Sequence, residues 1–314
     1  MAFTGFAPST GISSTLRTSN TASDRELALK VFSGEVMTSF ETNNVFLPLV
    51  KTRTIANGKS ASFAVIGKYD SDVATHVPGT DVVPNLINAG ERVIEIDNLK
   101  YASVFVDRFE EAMQHYETRS TYSMEMGRKL AIEVDKAIIA ALDSAAAGDG
   151  NTDDSTTIPG QPEAQTGISC NITEDDTNGQ AGDKILAALF DAQTAFAEDD
   201  IPGERYVVLS PKNYNRLVQS GAVNKDYTQN NNGGIDTGKI FQVAGLNLTV
   251  SNNIDADTIY MFTNEAVGVV KLLDVKTEAE YQIQKQGTLM VSSYAMGFGV
   301  LNNGCVITLD TTAA

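Results

Sequence analysis

Two histidines, His76 and His115, and two cysteines, Cys170 and Cys305, are all that this 314-residue chain offers to imidazole or thiol chemistry. A His-based triad or a multi-histidine metal site therefore has almost no material. His76 falls in an irregular stretch and His115 at a joint before a long helical segment, places that suit surface or hydrogen-bonding roles. The cysteines have no metal-ligand spacing, so the chain reads as an intracellular protein with reduced thiols and no disulfide framework. Gly58-Lys59-Ser60 mimics the end of a phosphate-binding loop, but Arg53 stands where that loop needs its first glycine, and a hairpin turn explains Asn57-Gly58. Gly297-Phe-Gly299 opens like a dinucleotide fingerprint, yet Asn302 replaces the third glycine; a kink or close strand packing accounts for both glycines. The run from Gly148 to Asp154 invites a calcium-loop reading. Counted from Asp149, it puts Asp154 where the loop needs Gly and Gly160 where it needs Glu. Glu110-Glu111 sits at a helix start, where the dipole favours carboxylates. Tyr116 and Tyr122 read as packing aromatics, and the Asn171 and Asn247 acceptor patterns matter only on a secretory route. No catalytic, cofactor or metal site is expected.

The elements that carry these residues are more informative than the residues. Glu117–Ala147 reads as one long helix with no Pro and a single Gly, Gly127. Leu130, Val134, Ile138 and Leu142 form its core stripe, and Glu125 stands four residues before Lys129 as a favourable pair. At 1.5 Å per residue the helix is about 45 Å long, a spine for other elements or other subunits. Before it, Arg92–Leu99 alternates as a strand and Tyr101–Val106 continues extended. Asp107 is a natural N-cap for a short acidic helix, Arg108–Met113.

Upstream, residues 1–24 are rich in Ser, Thr and Gly and read as a mobile arm. Leu27, Leu29, Val31, Val36 and Phe40 space out a short amphipathic helix. Residues 50–98 read as a long hairpin: Thr52–Ile55 and Ser60–Ile66 are strands around Asn57-Gly58, Asp70–Gly90 is irregular, and Glu91–Leu99 returns. An irregular stretch of roughly 20 residues is out of place inside an isolated compact domain. It fits a projection ordered by a neighbouring subunit. The same logic covers the arm, since neither can bury much surface within its own chain. Downstream, residues 148–183 carry eight acids, no Lys, Arg or His, and two prolines. They have the composition of a surface insertion or linker. An α/β pattern follows: a helix from near Asp183, a strand at Arg205–Ser210, a helix from Pro211 to Gly221, and strands at Lys239–Val243, Leu246–Val250 and Thr258–Phe262.

The order of strand, capped acidic turn, break and long spine resembles the major capsid proteins of tailed phages, most closely those of short-tailed podoviruses of the T-seven kind. Further similar segments are Leu27–Phe40, Asn57–Gly67, Val77-Pro78-Gly79, Glu110–Tyr116, Arg119-Ser120, Ala266–Leu272 and Tyr294–Gly299. The likeness covers roughly residues 25–147 and 262–310, is weaker over 183–261, and is absent over 1–24 and 148–182. It implies an α+β Hong Kong 97-type fold divided into an N-terminal arm (1–49), an extended loop (50–99) and a peripheral domain with the spine helix (100–147). An acidic insertion or linker (148–182), an axial domain (183–275) and peripheral return strands (276–314) complete it. Within the extended loop the implied inter-subunit contacts are Lys68, Tyr69, Asp70, Pro78 and Gly79. The resemblance also implies self-assembly as hexamers and pentamers into an icosahedral shell enclosing double-stranded DNA, with a scaffolding protein and a portal as partners. Such a protein is assembled in the host cytoplasm and resides in the virion.

Composition agrees. The net charge of −17, from 23 basic and 40 acidic residues, argues against general nucleic-acid binding, and the resemblance implies that the DNA is enclosed without sequence-specific binding. Solubility explains the acidity most simply; in a shell, an acidic inner wall would also let the duplex slide. There is no run of 18 apolar residues to span a membrane and no secretory signal. Two alternatives are an encapsulin-like cellular compartment, which genomic neighbours would distinguish, and an acidic α/β enzyme in residues 183–262, which would need a pocket of convergent polar groups. A tail or surface-layer protein fits the spine and hairpin less well.

Overall fold

The computed structural model describes residues 31–67, 89–113, 119–148, 167–220 and 245–312, with a few positions between them. The chain divides into two units. One comprises Met1–Asn43, Lys100–Ala131 and Asp274–Tyr294; the other comprises Asn44–Leu99, Ile132–Leu273 and Ala295–Ala314.

In the first unit, helix α1 (31–43) packs on the beginning of the long helix α3 (Arg119–Ala146). Phe32, Val36 and Phe40 recur every four residues and are buried, whereas Val31 is 54% exposed. Val36 and Phe40 are buried as the spacing predicts, with Phe32 in place of Val31 on that face. This segment buries its apolar face within its own chain, as an amphipathic helix does, and residues 1–24 lie outside the described residues. Ser39 Oγ donates to the Met124 carbonyl at 2.6 Å, and Ser123 Oγ donates to Glu35. Glu125 pairs with Arg128, one turn away at 2.7 Å, rather than with Lys129 as the spacing suggested. Strand β4 (Lys100–Asp107) runs into helix α2 (Arg108–Met113), and Asp107 Oδ1 caps it by accepting the Phe109 N–H at 2.7 Å. β4 lies antiparallel to β11 (Gly287–Val300), in register from Gly287↔Asp107 to Tyr294↔Lys100.

In the second unit a mixed six-stranded sheet has the order β5-β12-β9-β6-β8-β7. These strands are β5 (Ile168–Ser169), β6 (Arg205–Leu209), β7 (Gln242–Val243), β8 (Leu246–Val250), β9 (Thr258–Thr263) and β12 (Val306–Asp310). Helix α4 (Asn178–Glu198) packs against β5 and β12, and α5 (Pro211–Val218) against β6 and α4. The helices cross closely because Gly182 has no side chain: a Cβ there would overlap the Arg216 carbonyl. α4 starts five residues before the Asp183 expected from periodicity. Thr177 and Gln180 form a capping box, with the Thr177 N–H donating to Gln180 Oε1 at 2.9 Å. Cys170 and Ile172 just upstream are buried, so the end of the acidic stretch is packed structure.

Strand β1 (Lys51–Thr54) does not form a hairpin with β2 (Ser60–Ile66). It pairs in parallel with β10 (Val267–Gln282), Lys51↔Gly268 to Thr54↔Lys271, and β2 pairs instead with β3 (Ala89–Glu95). The Asn57-Gly58 signal marks a turn between two sheets, with Gly58 at φ +122°. β1, β10, β11 and β4 follow one another in a four-stranded sheet.

Candidate subunit-contact surfaces

The β2–β3 ribbon is in register from Ser60↔Glu95 to Ile66↔Ala89. Its burial is confined to one end. Ala61 and Phe63 of β2, with Ile94 and Ile96, pack against Val270, Ala295 and Leu301. Glycines make this possible: a Cβ on Gly297 would lie 2.3 Å from the Glu95 carbonyl oxygen, and one on Gly299 would meet the Ile94 side chain at 2.8 Å. The Gly297-Phe-Gly299 pair is therefore a close-packing device between β11 and the ribbon. The Ile96 N–H donates to the Lys59 carbonyl at 2.8 Å, and Lys59 Nζ pairs with Glu95 at 2.8 Å in solvent. Toward the other end the burial fails. Ile66 is 70% exposed and Ile87 55%. Pro78 and Gly79 form an exposed turn with Gly79 at φ +93°. Lys68, Tyr69 and Asp70 lie outside the described residues, as do His115, Tyr116 and the acidic run from Asp149 to Glu163.

The first unit also presents apolar side chains. Tyr101 and Phe105 stand on one face of β4 and are exposed; Phe109 and Met113 on α2 and Ile283 after β10 are exposed as well. Lys285 Nζ sits 6.0 Å from the centre of the Phe105 ring, a cation–π contact at the margin of its range. Gly287 accommodates the same ring, which a Cβ would strike.

The spine stripe is buried throughout: Leu130, Val134, Ile138 and Leu142 are at most 4% exposed. Two acids of the spine make side-chain hydrogen bonds within the second unit, Asp135 from a buried position and Asp143 from an exposed one. Asp135 is fully buried and accepts three donors: the Val45 N–H, shared between its oxygens at 3.3 Å, the Phe46 N–H at 3.2 Å, and Asn253 Nδ2 at 2.9 Å. Burial raises its carboxyl above the ordinary range, and the N–H donors pull the other way. Eight residues on, Asp143 accepts the Tyr260 hydroxyl at 2.6 Å. Burial first, and then that bond to a carboxylate, raise the Tyr260 phenol well above its usual value. Cys170 is pushed up to about 11, chiefly by burial and then by Asp310. These groups are structural. Among the described residues no cluster of His, Cys, Asp or Glu could hold a metal ion, and no helix is long and apolar enough to cross a membrane.

Residues 62–260 and 255–310 match the Gp10A-like family of major capsid proteins. The chain belongs to that family. The major capsid protein of Enterobacteria phage T3 is 28% identical to it, over 88% of each chain, and that of Escherichia phage T7 is 27% identical over 88% of this chain and 89% of its own. Among solved structures, the capsid of cyanophage P-SCSP1u superposes with a TM-score of 0.72 at 31% identity, covering 86% of this chain and 89% of that one. The mature capsid of bacteriophage PhiM1 gives 0.69 at 13% identity, a likeness of fold. The fold is accordingly α+β of the Hong Kong 97 type, and this capsid protein is a structural component of a tailed-phage virion of the podovirus kind, not an enzyme. The encapsulin-like and enzymatic alternatives are not favoured.

Sequence reasoning missed three features of this capsid protein: Asp135, the role of Gly127, and the Thr177–Gln180 cap. Each left a trace. Asp135 is an acid four residues from both Ala131 and Ile139, inside a buried row. Gly127 is the lone glycine of the spine. Thr-Asn-Gly-Gln has the spacing of a capping box.

Proposed function

We propose that many copies of this chain assemble as hexamers and pentamers into an icosahedral shell that encloses double-stranded DNA without sequence-specific contacts. In this reading residues 50–99 are the extended loop, 100–147 and 276–314 the peripheral domain, 183–275 the axial domain, and 148–182 an acidic surface insertion or linker whose end packs through β5 and the start of α4. The arm and the extended loop reach neighbouring subunits, with Lys68, Tyr69, Asp70, Pro78 and Gly79 at the contact. A scaffolding protein and a portal take part in assembly, which occurs in the host cytoplasm.

One observation carries the loop assignment: a two-stranded ribbon is packed at its base and exposes Ile66 and Ile87 beyond it. Isolated two-stranded ribbons are marginal in water, so a second surface over the distal half would supply the missing burial. Electron microscopy of the purified chain, expressed alone and with its scaffold, tests the reading. Closed shells of uniform diameter support it. Small monodisperse species under both conditions would count against self-assembly, and shells that still form after removal of residues 70–86 would refute the loop contact.

A further inference from the structure

Irregular backbone inside a protein must find acceptors for its N–H groups, because burying an amide unpaired is expensive. The stretch from Asn44 to Val50 faces that problem. Phe46 is fully buried against Phe262, their rings 6.3 Å apart and 17° from parallel, and Val50 is buried too. Asn44 Oδ1 accepts the Leu47 N–H at 2.9 Å, and the Leu49 N–H returns to the Phe46 carbonyl at 2.9 Å. The Val45 and Phe46 amides of this stretch both end on Asp135.

We infer that Asp135 is a positioning residue for assembly: it pins the backbone at Val45 and Phe46, the fixed point between α1 and the strand that leads to the β2–β3 ribbon. The chemistry of the pair favours an acid here. A carboxylate presents two acceptor oxygens and no donor, matching three N–H groups that arrive from two different segments. An amide would turn one N–H₂ toward the Asn253 amide, unless Asn253 turned over to present its oxygen. A conservative exchange is therefore tolerable through one side-chain rotation, whereas a side chain that cannot accept leaves both backbone amides unpaired. In consequence the arm and the extended loop, which the proposed function gives to neighbouring subunits, start from one anchored position. This part of the inference rests on that shell reading; the pinning itself does not.

Amide hydrogen exchange in the unassembled subunit reads the pinning alone. Asp135→Ala should lower protection at Val45 and Phe46 by about tenfold or more. The core amides of β12 should be unchanged, and Asp135→Asn should restore most of the protection. Shell formation reads the consequence: Asp135→Ala should give few or misshapen particles, and Asp135→Asn particles like the parent. Asp135→Ser, smaller but polar, stands in if the alanine variant does not fold; failure of both to fold would overturn a positioning role in favour of a purely folding one. Unchanged exchange at residues 45 and 46, or unchanged shells despite lost protection, would also overturn the inference. A parent chain that makes no shells would sink the shell reading instead and leave the exchange result standing.

Discussion

Gly127→Ala should destabilise this protein, although the same change at an exposed helical site stabilises by about 1 kcal/mol. Gly127 lies nine residues into α3, where α1 crosses it. A Cβ built there would stand 2.4 Å from the Val36 carbonyl oxygen, 2.9 Å from the Ser39 Cβ and 3.1 Å from the Phe40 amide nitrogen. Two of those atoms are backbone, so no rotamer change relieves the overlap. Helix α1 must retreat by about 1 Å to reach ordinary contact, or detach. Detachment would expose Phe32, Val36 and Phe40, each contributing about 1.5–3 kcal/mol when buried. Retreat is cheaper, at about 1–3 kcal/mol for an overpacked contact. Setting that against the propensity gain leaves a net loss of up to about 2 kcal/mol. Urea unfolding of the unassembled subunit would show a lower midpoint at unchanged slope, and limited proteolysis would cut 31–43 faster. The sign decides the matter. A variant more stable than the parent would mean that α1 does not lie on α3 at this glycine, and the packing argument would fall.

Ile138→Asp puts an unpaired charge at a fully buried position and should remove more than about 4 kcal/mol, seen as loss of soluble protein; a folded, soluble variant would mean that the spine stripe is misassigned. The Tyr260 phenol is held neutral by burial and by Asp143, so its folded pKa lies above the unfolded one. Its contribution is complete below about pH 10 and is lost as pH rises through the folded value. Tyr260→Phe should flatten the alkaline side of a pH–stability curve, and an unchanged slope there would contradict the assignment. Both cysteines are buried and Cys170 is pushed up to about 11, so a disulfide exchange reagent at neutral pH should modify neither until the protein is unfolded; rapid native labelling of Cys170 would show that the β5 edge opens.

What could be read from the sequence was what local periodicity encodes. The 3.6-residue stripe of Leu130, Val134, Ile138 and Leu142 located the spine, alternation from Arg92 located β3 although the strand ends at Glu95 rather than Leu99, and the extended run Tyr101–Val106 is β4. Reading failed where a partner distant in sequence decides. Asn57-Gly58 carries a strong hairpin signal, yet Lys51–Thr54 bonds in parallel to Gly268–Lys271, because β10 offers β1 a full set of ladder partners in another sheet. Val31 was placed in a helical stripe that α3 draws through Phe32, Val36 and Phe40 instead. Gly182 and Gly287 have no local reason to be glycine; each is explained by a carbonyl oxygen or ring from elsewhere in the chain, whereas the close packing expected at Gly297-Phe-Gly299 is what the structure shows. The acidity of residues 148–183 hid the cap at Thr177 and the burial of Cys170 and Ile172 at its end.

The β2–β3 ribbon turns these facts into an argument about assembly. On β2, burial falls from Ala61 and Phe63 to partly exposed Val65, and the opposite face ends on exposed Ile66. On β3, Ile94 is buried while Val93 is 44% exposed. Burial therefore selects the same face along the ribbon, fully at the base and only partly at Val65 and Gly90 farther out. Register is strongly fixed where one face of a strand is buried, so it is held less firmly over the distal pairs from Ala64↔Glu91 to Ile66↔Ala89, where the inner face is only partly buried. Exposed apolar strands of that kind are normally blunted, because an open edge recruits other chains. In the proposed shell that recruitment is the use: the base, fixed by close packing at Gly297 and Gly299 of β11, aims a ribbon whose apolar end a neighbouring subunit would cover.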